Sequence, residues 1–230
     1  MRNFILAMTF LAFWQPTPAA AQDNTVVVEL FTSQGCSACP PADEILRNLA
    51  TRDNVIALAL HVDYWDYIGW VDSFGRPEHT ARQQAYARVA KAPTVYTPQM
   101  VIGGVDHLVG SRSMQVMDTL QAHARQQNSF DVRLVRSDDV VTISANPGLP
   151  GNYDVQLVRY VPLQSVDIGR GENAGRMFDY ANVVTSWDVV GQWSGITPLD
   201  LRAHARGPQP VVVIIQKSGH GAIVGAAQLR

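Results

Sequence analysis

The chain has 230 residues, 47% of them hydrophobic, enough for one sizeable core or two smaller ones. With 17% charged residues it is neither a polar disordered tract nor a low-complexity chain, and a formal net charge of -2 gives no basic excess for general nucleic-acid binding. Two cysteines exclude a disulfide-dense scaffold.

Residues Met1 to Ala21 read as a secretory leader. Arg2 supplies the positive start, Phe4 to Trp14 is a short apolar run, and Ala19-Ala20-Ala21 offers a small-residue cleavage site before Gln22. The run is shorter than the roughly 20 apolar residues a membrane span needs, and Gln15, Pro16 and Pro18 interrupt it. A periplasmic or secreted destination is expected, where a disulfide can persist, with no stable membrane insertion after cleavage.

From Thr25 to Gln127, strand and helix patterns alternate. Thr25 to Thr32 is rich in β-branched residues and reads as a buried strand. The turn Ser33-Gln34-Gly35 leads into a helix with Ile45, Leu46 and Leu49 at helical spacing; Pro40 and Pro41 fit only its first turn. Asn54 to Val62 is a second strand, nearly continuous in apolar residues, as a strand covered on both faces is. His79 to Val89 carries helix formers. Met100 to Ile102 and Val105 to Leu108 flank Gly103-Gly104, a hairpin signal, and Ser111 to Gln127 forms a third helix. After Ser129, strands are expected at Phe130 to Arg136, Val140 to Ala145, Tyr153 to Val161, Ala181 to Val190, Val211 to Lys217 and Ala222 to Leu229. The resulting organisation is an α/β domain over residues 22–128 followed by a smaller β-rich, sandwich-like domain over 129–230.

The chemistry concentrates at Cys36-Ser37-Ala38-Cys39, where a strand hands over to a helix. Two intervening residues bring the sulfurs within reach of each other, and the partial positive charge of the helix N-terminus favours a thiolate at Cys36, expected near the exposed end. That thiolate attacks a disulfide and Cys39 resolves the mixed disulfide. An inert staple gains little from so short a loop, and a zinc site lacks a second cysteine pair. His61 is a third ligand candidate for a soft ion such as copper(I), alongside a structural role for its ring. Asp63, Tyr64 and Trp65, on the segment leaving the second strand, either bind substrate beside the disulfide or pack between elements. Asp43 and Glu44 suit a helix N-terminus. Gly169 to Arg176, mixing glycine and arginine, reads as a mobile connection.

Cys36-Ser37-Ala38-Cys39-Pro40, followed by Thr97-Pro98-Gln99-Met100-Val101-Ile102-Gly103-Gly104, resembles the thioredoxin and glutaredoxin superfamily. The resemblance implies a thioredoxin-like first domain with Pro98 as a cis-proline facing the cysteine pair and Thr97 touching the substrate. A closer resemblance joins Glu29 to Asp43, His61 to Trp70 and Tyr180 to Val184 with secreted bacterial proteins of the domain of unknown function 1223 family. Gly35 stands where thioredoxins place Trp. The thioredoxin carboxylate position falls on Leu30, so Glu29 is a proton shuttle only if its strand face permits. The expected activity is thiol-disulfide exchange by Cys36 and Cys39 with Thr97 and Pro98, on a thiol- or disulfide-containing protein or small molecule, without a separate cofactor or resident metal. A copper-handling protein and a non-catalytic binding module are the alternatives.

Overall fold

Seven consecutive buried residues, Val26–Thr32, form β1, and seven more, Val55–His61, form β2 beside it, in parallel register from Val26 opposite Val55 to Thr32 opposite His61. The computed structural model describes residues 24–126 and 128–230, so the leader-like segment Met1 to Ala21 lies outside the described residues. Strands buried on both faces need cover on both. Val26, Val28 and Leu30, with Val55, Ala57 and Ala59, face α1 (Pro40–Leu49) and α3 (Ser113–Ala124) through Ala42, Leu46, Leu49, Val116 and Leu120. The alternate residues Val27, Phe31, Ile56, Leu58 and Leu60 pack on Tyr86 of α2 (Pro77–Val89).

β3 (Gln99–Ile102) runs antiparallel to β1, and β4 (Asp106–Val109) returns along β3. Their turn holds Gly103 and Gly104 at φ 61° and 76°, a backbone region that a side chain would strain. Strand order β2-β1-β3-β4, with helices on both faces, completes the α/β part.

The second half is β-rich, as expected: β5 (Val132–Ser137), β6 (Val140–Ala145), β7 (Tyr153–Asp167), β8 (Met177–Trp193), β9 (Leu199–His204), β10 (Val211–Lys217) and β11 (Ile223–Leu229). β5, β6 and β9 make a small antiparallel sheet. β7, β8, β10 and β11 instead extend the first sheet to eight strands, order β11-β10-β7-β8-β2-β1-β3-β4, joined where Val183 of β8 pairs with Ala59 of β2. One sheet therefore crosses residue 128. The two sheets close on a core that includes Phe130, Ile143, Tyr153, Trp193 and Val213.

β7 and β8 run beyond their expected ends and pair out to Asp167 opposite Met177. Their outer residues are largely exposed or half-buried, so the apolar alternation that marks a strand is missing there. This long ribbon carries the turn 168–176 across to the start of α1.

Candidate redox site at the start of the first helix

Cys39 is the residue before α1, and Pro40 at the first helical position has no N–H to leave unpaired. The Cys39 carbonyl accepts from the N–H groups of Ala42 (2.8 Å) and Asp43 (3.1 Å), which fixes the first turn. Cys36 lies one turn earlier, its N–H donating to Ser33 O at 3.1 Å and its carbonyl accepting from the Cys39 N–H at 3.2 Å. The sulfurs are bonded, with Cα atoms 5.4 Å apart.

Cys36 is not at an exposed end. It is 1% exposed and Cys39 is fully buried, while Ser37 and Ala38 between them face solvent. Two segments supply the cover. Asn173, buried in the β7–β8 turn, donates through Nδ2 to Gln34 O (2.9 Å) and Cys36 O (3.1 Å). The segment after β2 closes the other side: a side chain at Gly35 would meet Ile68 at 3.3 Å and Trp65 Cβ at 3.4 Å, so it would need Ile68 to give by a few tenths of an ångström. The stretch Gly169 to Arg176, expected to be a mobile connection, is thus pinned by Asn173 and buried Ile168 over the cysteine loop. Removing two hydrogen bonds of about 1 kcal/mol each, about 2 kcal/mol together, raises the open population about thirtyfold. Asn173→Ala will accordingly speed reaction of oxidised Cys36 with a small thiol by about that factor while the open form is a minor, rapidly reclosing population, read by thiol-release kinetics.

The Thr97–Pro98 peptide is cis. Gln99 pairs with Phe31, so Pro98 comes level with Thr32 at the end of β1, the end that carries the cysteine loop. Trp65 bridges the two: its Cβ lies beside Gly35 and its Nε1–H donates to Thr97 Oγ1 at 2.7 Å. The structure brings Cys36, Cys39, Trp65, Thr97 and Pro98 to one sheet end. Asp63 and Tyr64 turn toward α2 instead: Asp63 Oδ1 accepts from Thr80 Oγ1 (2.6 Å), and Tyr64 OH donates to Gln83 Oε1 (3.1 Å). Burial pushes the Tyr64 phenol up to about 12. Between α1 and β8 a groove of about 430 Å³, lined by Ser37, Pro40, Glu44, Arg47, Arg176 and Phe178, opens beside the disulfide.

Glu29 points away from this site. Strand alternation places it on the α2 face, where it accepts from Arg82 Nε (2.6 Å), Arg82 Nη2 (3.0 Å) and Tyr86 OH (2.6 Å). The carboxyl under α1 is Asp43. It is buried, neither of its oxygens has a hydrogen-bond partner, and burial lifts it to about 7, with His61 the largest opposing influence. His61, fully buried at the end of β2, sets Nδ1 2.8 Å from Asp72 Oδ2. Burial pushes Asp72 up, but His61 and the N–H groups of Gln34 and Phe74, each at 2.8 Å, outweigh it, so Asp72 lies below the ordinary carboxylate value. Tyr180 of β8 stacks edge-on against the His61 ring at 4.7 Å and is raised by burial and by Asp43 and Asp72. Among the described residues no group of three or more His, Cys, Asp or Glu side chains is placed to hold a metal. No described helix is long and apolar enough to cross a membrane.

Solved structures similar in fold include two of high coverage. A crystallised Agrobacterium tumefaciens protein shares 36% identity and superposes with a TM-score of 0.79, covering 90% of this chain and 95% of its own. HBP35 of Porphyromonas gingivalis, at 14% identity and TM-score 0.59, covers 90% of this chain and 75% of its own, a likeness of fold alone. The comparison with curated proteins found no match. The family model described as protein of unknown function (DUF1223) matches residues 27–216, most of the chain, and the protein belongs to that family.

Proposed function

We propose that this protein is an exported thiol-disulfide oxidoreductase with a thioredoxin-like first half, in which Cys36 is the exchanging sulfur and Cys39 the resolving one. The observation that carries this reading is the Cys36–Cys39 disulfide at the start of α1, with Thr97 and Pro98 brought to the same sheet end. Strand order β2-β1-β3-β4, with β1 and β2 parallel and β3 antiparallel to β1, supports the thioredoxin-like part. A partner thiolate attacks Cys36 Sγ, and Cys39 leaves as a thiolate; in the other direction the reduced Cys36 attacks a partner disulfide and Cys39 displaces the partner. The helix N-terminus stabilises negative sulfur in both directions. Because Cys36 is covered, exchange requires the turn carrying Asn173, or the Trp65–Ile68 segment, to move aside.

The test is Cys39→Ser expressed with its own leader. Disulfide-linked adducts should accumulate through Cys36, vanish on reduction, and be missing from Cys36→Ser/Cys39→Ser. Fractionation should place the protein outside the cytoplasm with Gln22 at its N-terminus. A Cys39→Ser protein that stays adduct-free across growth conditions overturns the redox reading; cytoplasmic protein that begins at Met1 overturns export.

A further inference from the structure

We propose that Asp43, backed by the His61–Asp72 pair, takes up and returns the proton of the Cys39 thiol. The inference rests on the redox reading above and assigns the acid–base half of that exchange.

The first argument is placement. Cys39 and Asp43 stand four residues apart at the start of α1, so their side chains share one helix face, and both are buried. The face of the sheet beneath them is set by strand parity. Val26, Val28 and Leu30 turn toward α1, and Thr32 follows them; Val55, Ala57 and Ala59 do so on β2, and His61 follows.

The second argument is what these groups lack. Both Asp43 oxygens, His61 Nε2 and Thr32 Oγ1 are buried with no partner at hydrogen-bond distance, although the Thr32 hydroxyl faces the Asp43 carboxyl closely enough to favour its charged form. Buried polar atoms are almost always paired, because leaving one unpaired costs on the order of 1–3 kcal/mol. Four unpaired atoms on three adjoining elements form a set that structural packing alone does not require.

The third argument is the charge of the cluster. Asp72 accepts two backbone N–H bonds and sets its Oδ2 2.8 Å from His61 Nδ1, so it is the fixed carboxylate of the cluster. The other ring nitrogen, Nε2, is buried with no partner. The groups acting on this cluster from the surrounding elements are Tyr180 of β8, with Arg176 near it, and His79 of α2, whose Nδ1 lies 2.9 Å from the His61 carbonyl. In this setting Asp43 exchanges its proton near neutrality. It also lines the groove between α1 and β8, through which that proton reaches water.

The step balances without another reactant. With Cys36 joined to a partner sulfur, the Cys39 S–H gives its proton to the Asp43 carboxylate. The sulfur's electron pair forms the Cys36–Cys39 bond, and the Cys36–partner bond breaks with its electron pair on the partner sulfur. Two protein thiols are oxidised and the partner disulfide is reduced; the partner thiolate takes a proton from water, and Asp43 releases its own through the groove. In reverse, the attacked Cys36–Cys39 bond expels a Cys39 thiolate, which Asp43 protonates.

Oxidised glutathione mixed with the reduced full-length protein separates the two steps: glutathione first joins Cys36, then Cys39 expels it. The wild-type expulsion rate should rise with pH through an inflection near 7. In Asp43→Asn, expulsion should slow about a hundredfold at pH 7 and its inflection should move to that of the thiol itself, above about 8. His61→Gln should move the inflection upward without removing it, because His61 opposes the lift of Asp43; it carries the test if Asp43→Asn does not fold. Expulsion in Asp43→Asn at the wild-type rate and pH profile, or an unmoved inflection in His61→Gln, overturns the relay and leaves the redox reading standing. A wild-type protein whose Cys36 takes no glutathione overturns both.

Discussion

Glu29→Ala will destabilise the protein by about 3–5 kcal/mol in urea unfolding at pH 7, because it leaves a buried cation without its counter-charge. Arg82 is almost wholly buried between α2 and the sheet. Its guanidinium makes two bonds to Glu29, one to Tyr86 OH at 2.9 Å, and longer ones to Gln156 Oε1 (3.3 Å) and Gln216 Oε1 (3.2 Å), and it lies 3.8 Å over the Trp187 ring. The amides and the ring orient it but carry no negative charge. A buried lysine escapes such a loss by shedding its proton; arginine does not, since its pKa exceeds 12. The paired change Glu29→Leu with Arg82→Met should recover most of the loss, since a packed apolar pair replaces the ionic one at little net cost. Recovery no better than Glu29→Ala alone would show that Arg82 holds the fold through Tyr86, Gln156 and Gln216 rather than through its charge.

The placement of Glu29 also shows where sequence reasoning reaches and where it stops. Side-chain parity along β1 is a local rule, and a one-residue offset from Leu30 is enough to put Glu29 on the face away from Cys39. Local rules likewise make β1, β2, the Gly103-Gly104 turn and the Cys36–Cys39 helix start legible, because each is written within ten residues. Asp43 is a different case. An Asp in a first helical turn reads as a partner for the helix dipole, and only the fold makes it a buried, unpaired acid. His61 and Asp72 are eleven residues apart with no motif to join them. Asn173 reaches Cys36 across 137 residues, at the tip of a ribbon whose polar edges hide its length. β9 escapes the strand pattern because Asp200 and Arg202 alternate with a short apolar set in which only Leu199 and Ala203 are buried.

Two buried groups on either side of His61 should hold the stability of the wild-type protein nearly level between about pH 4 and 6.5, and removing either one should tilt it. Asp43 has its proton affinity raised from 3.8 to about 7 by burial. In that window the folded state keeps a proton the unfolded state has lost, so stability falls as pH rises, by up to about 1.4 kcal/mol per pH unit. His79 is depressed from 6.5 to about 4, again chiefly by burial. There the unfolded state holds the extra proton, and stability rises with pH at up to about the same slope of 1.4 kcal/mol per unit. The two trends overlap from 4 to 6.5 and oppose each other. Asp43→Asn removes the falling one, so the variant should gain about 3 kcal/mol between pH 4 and 6.5. His79→Asn, which keeps a donor for the His61 carbonyl, should lose about as much over the same range, about 3 kcal/mol. His107 and His220, half-buried and lowered by burial, add a smaller rising trend to every variant, so the differences from wild type are the quantities to compare. Urea midpoints taken at half-unit steps of pH measure them. Parallel curves for Asp43→Asn and wild type would mean that Asp43 is ionised throughout the window, and a carboxyl already ionised at pH 4 has no proton to trade with Cys39 at 7.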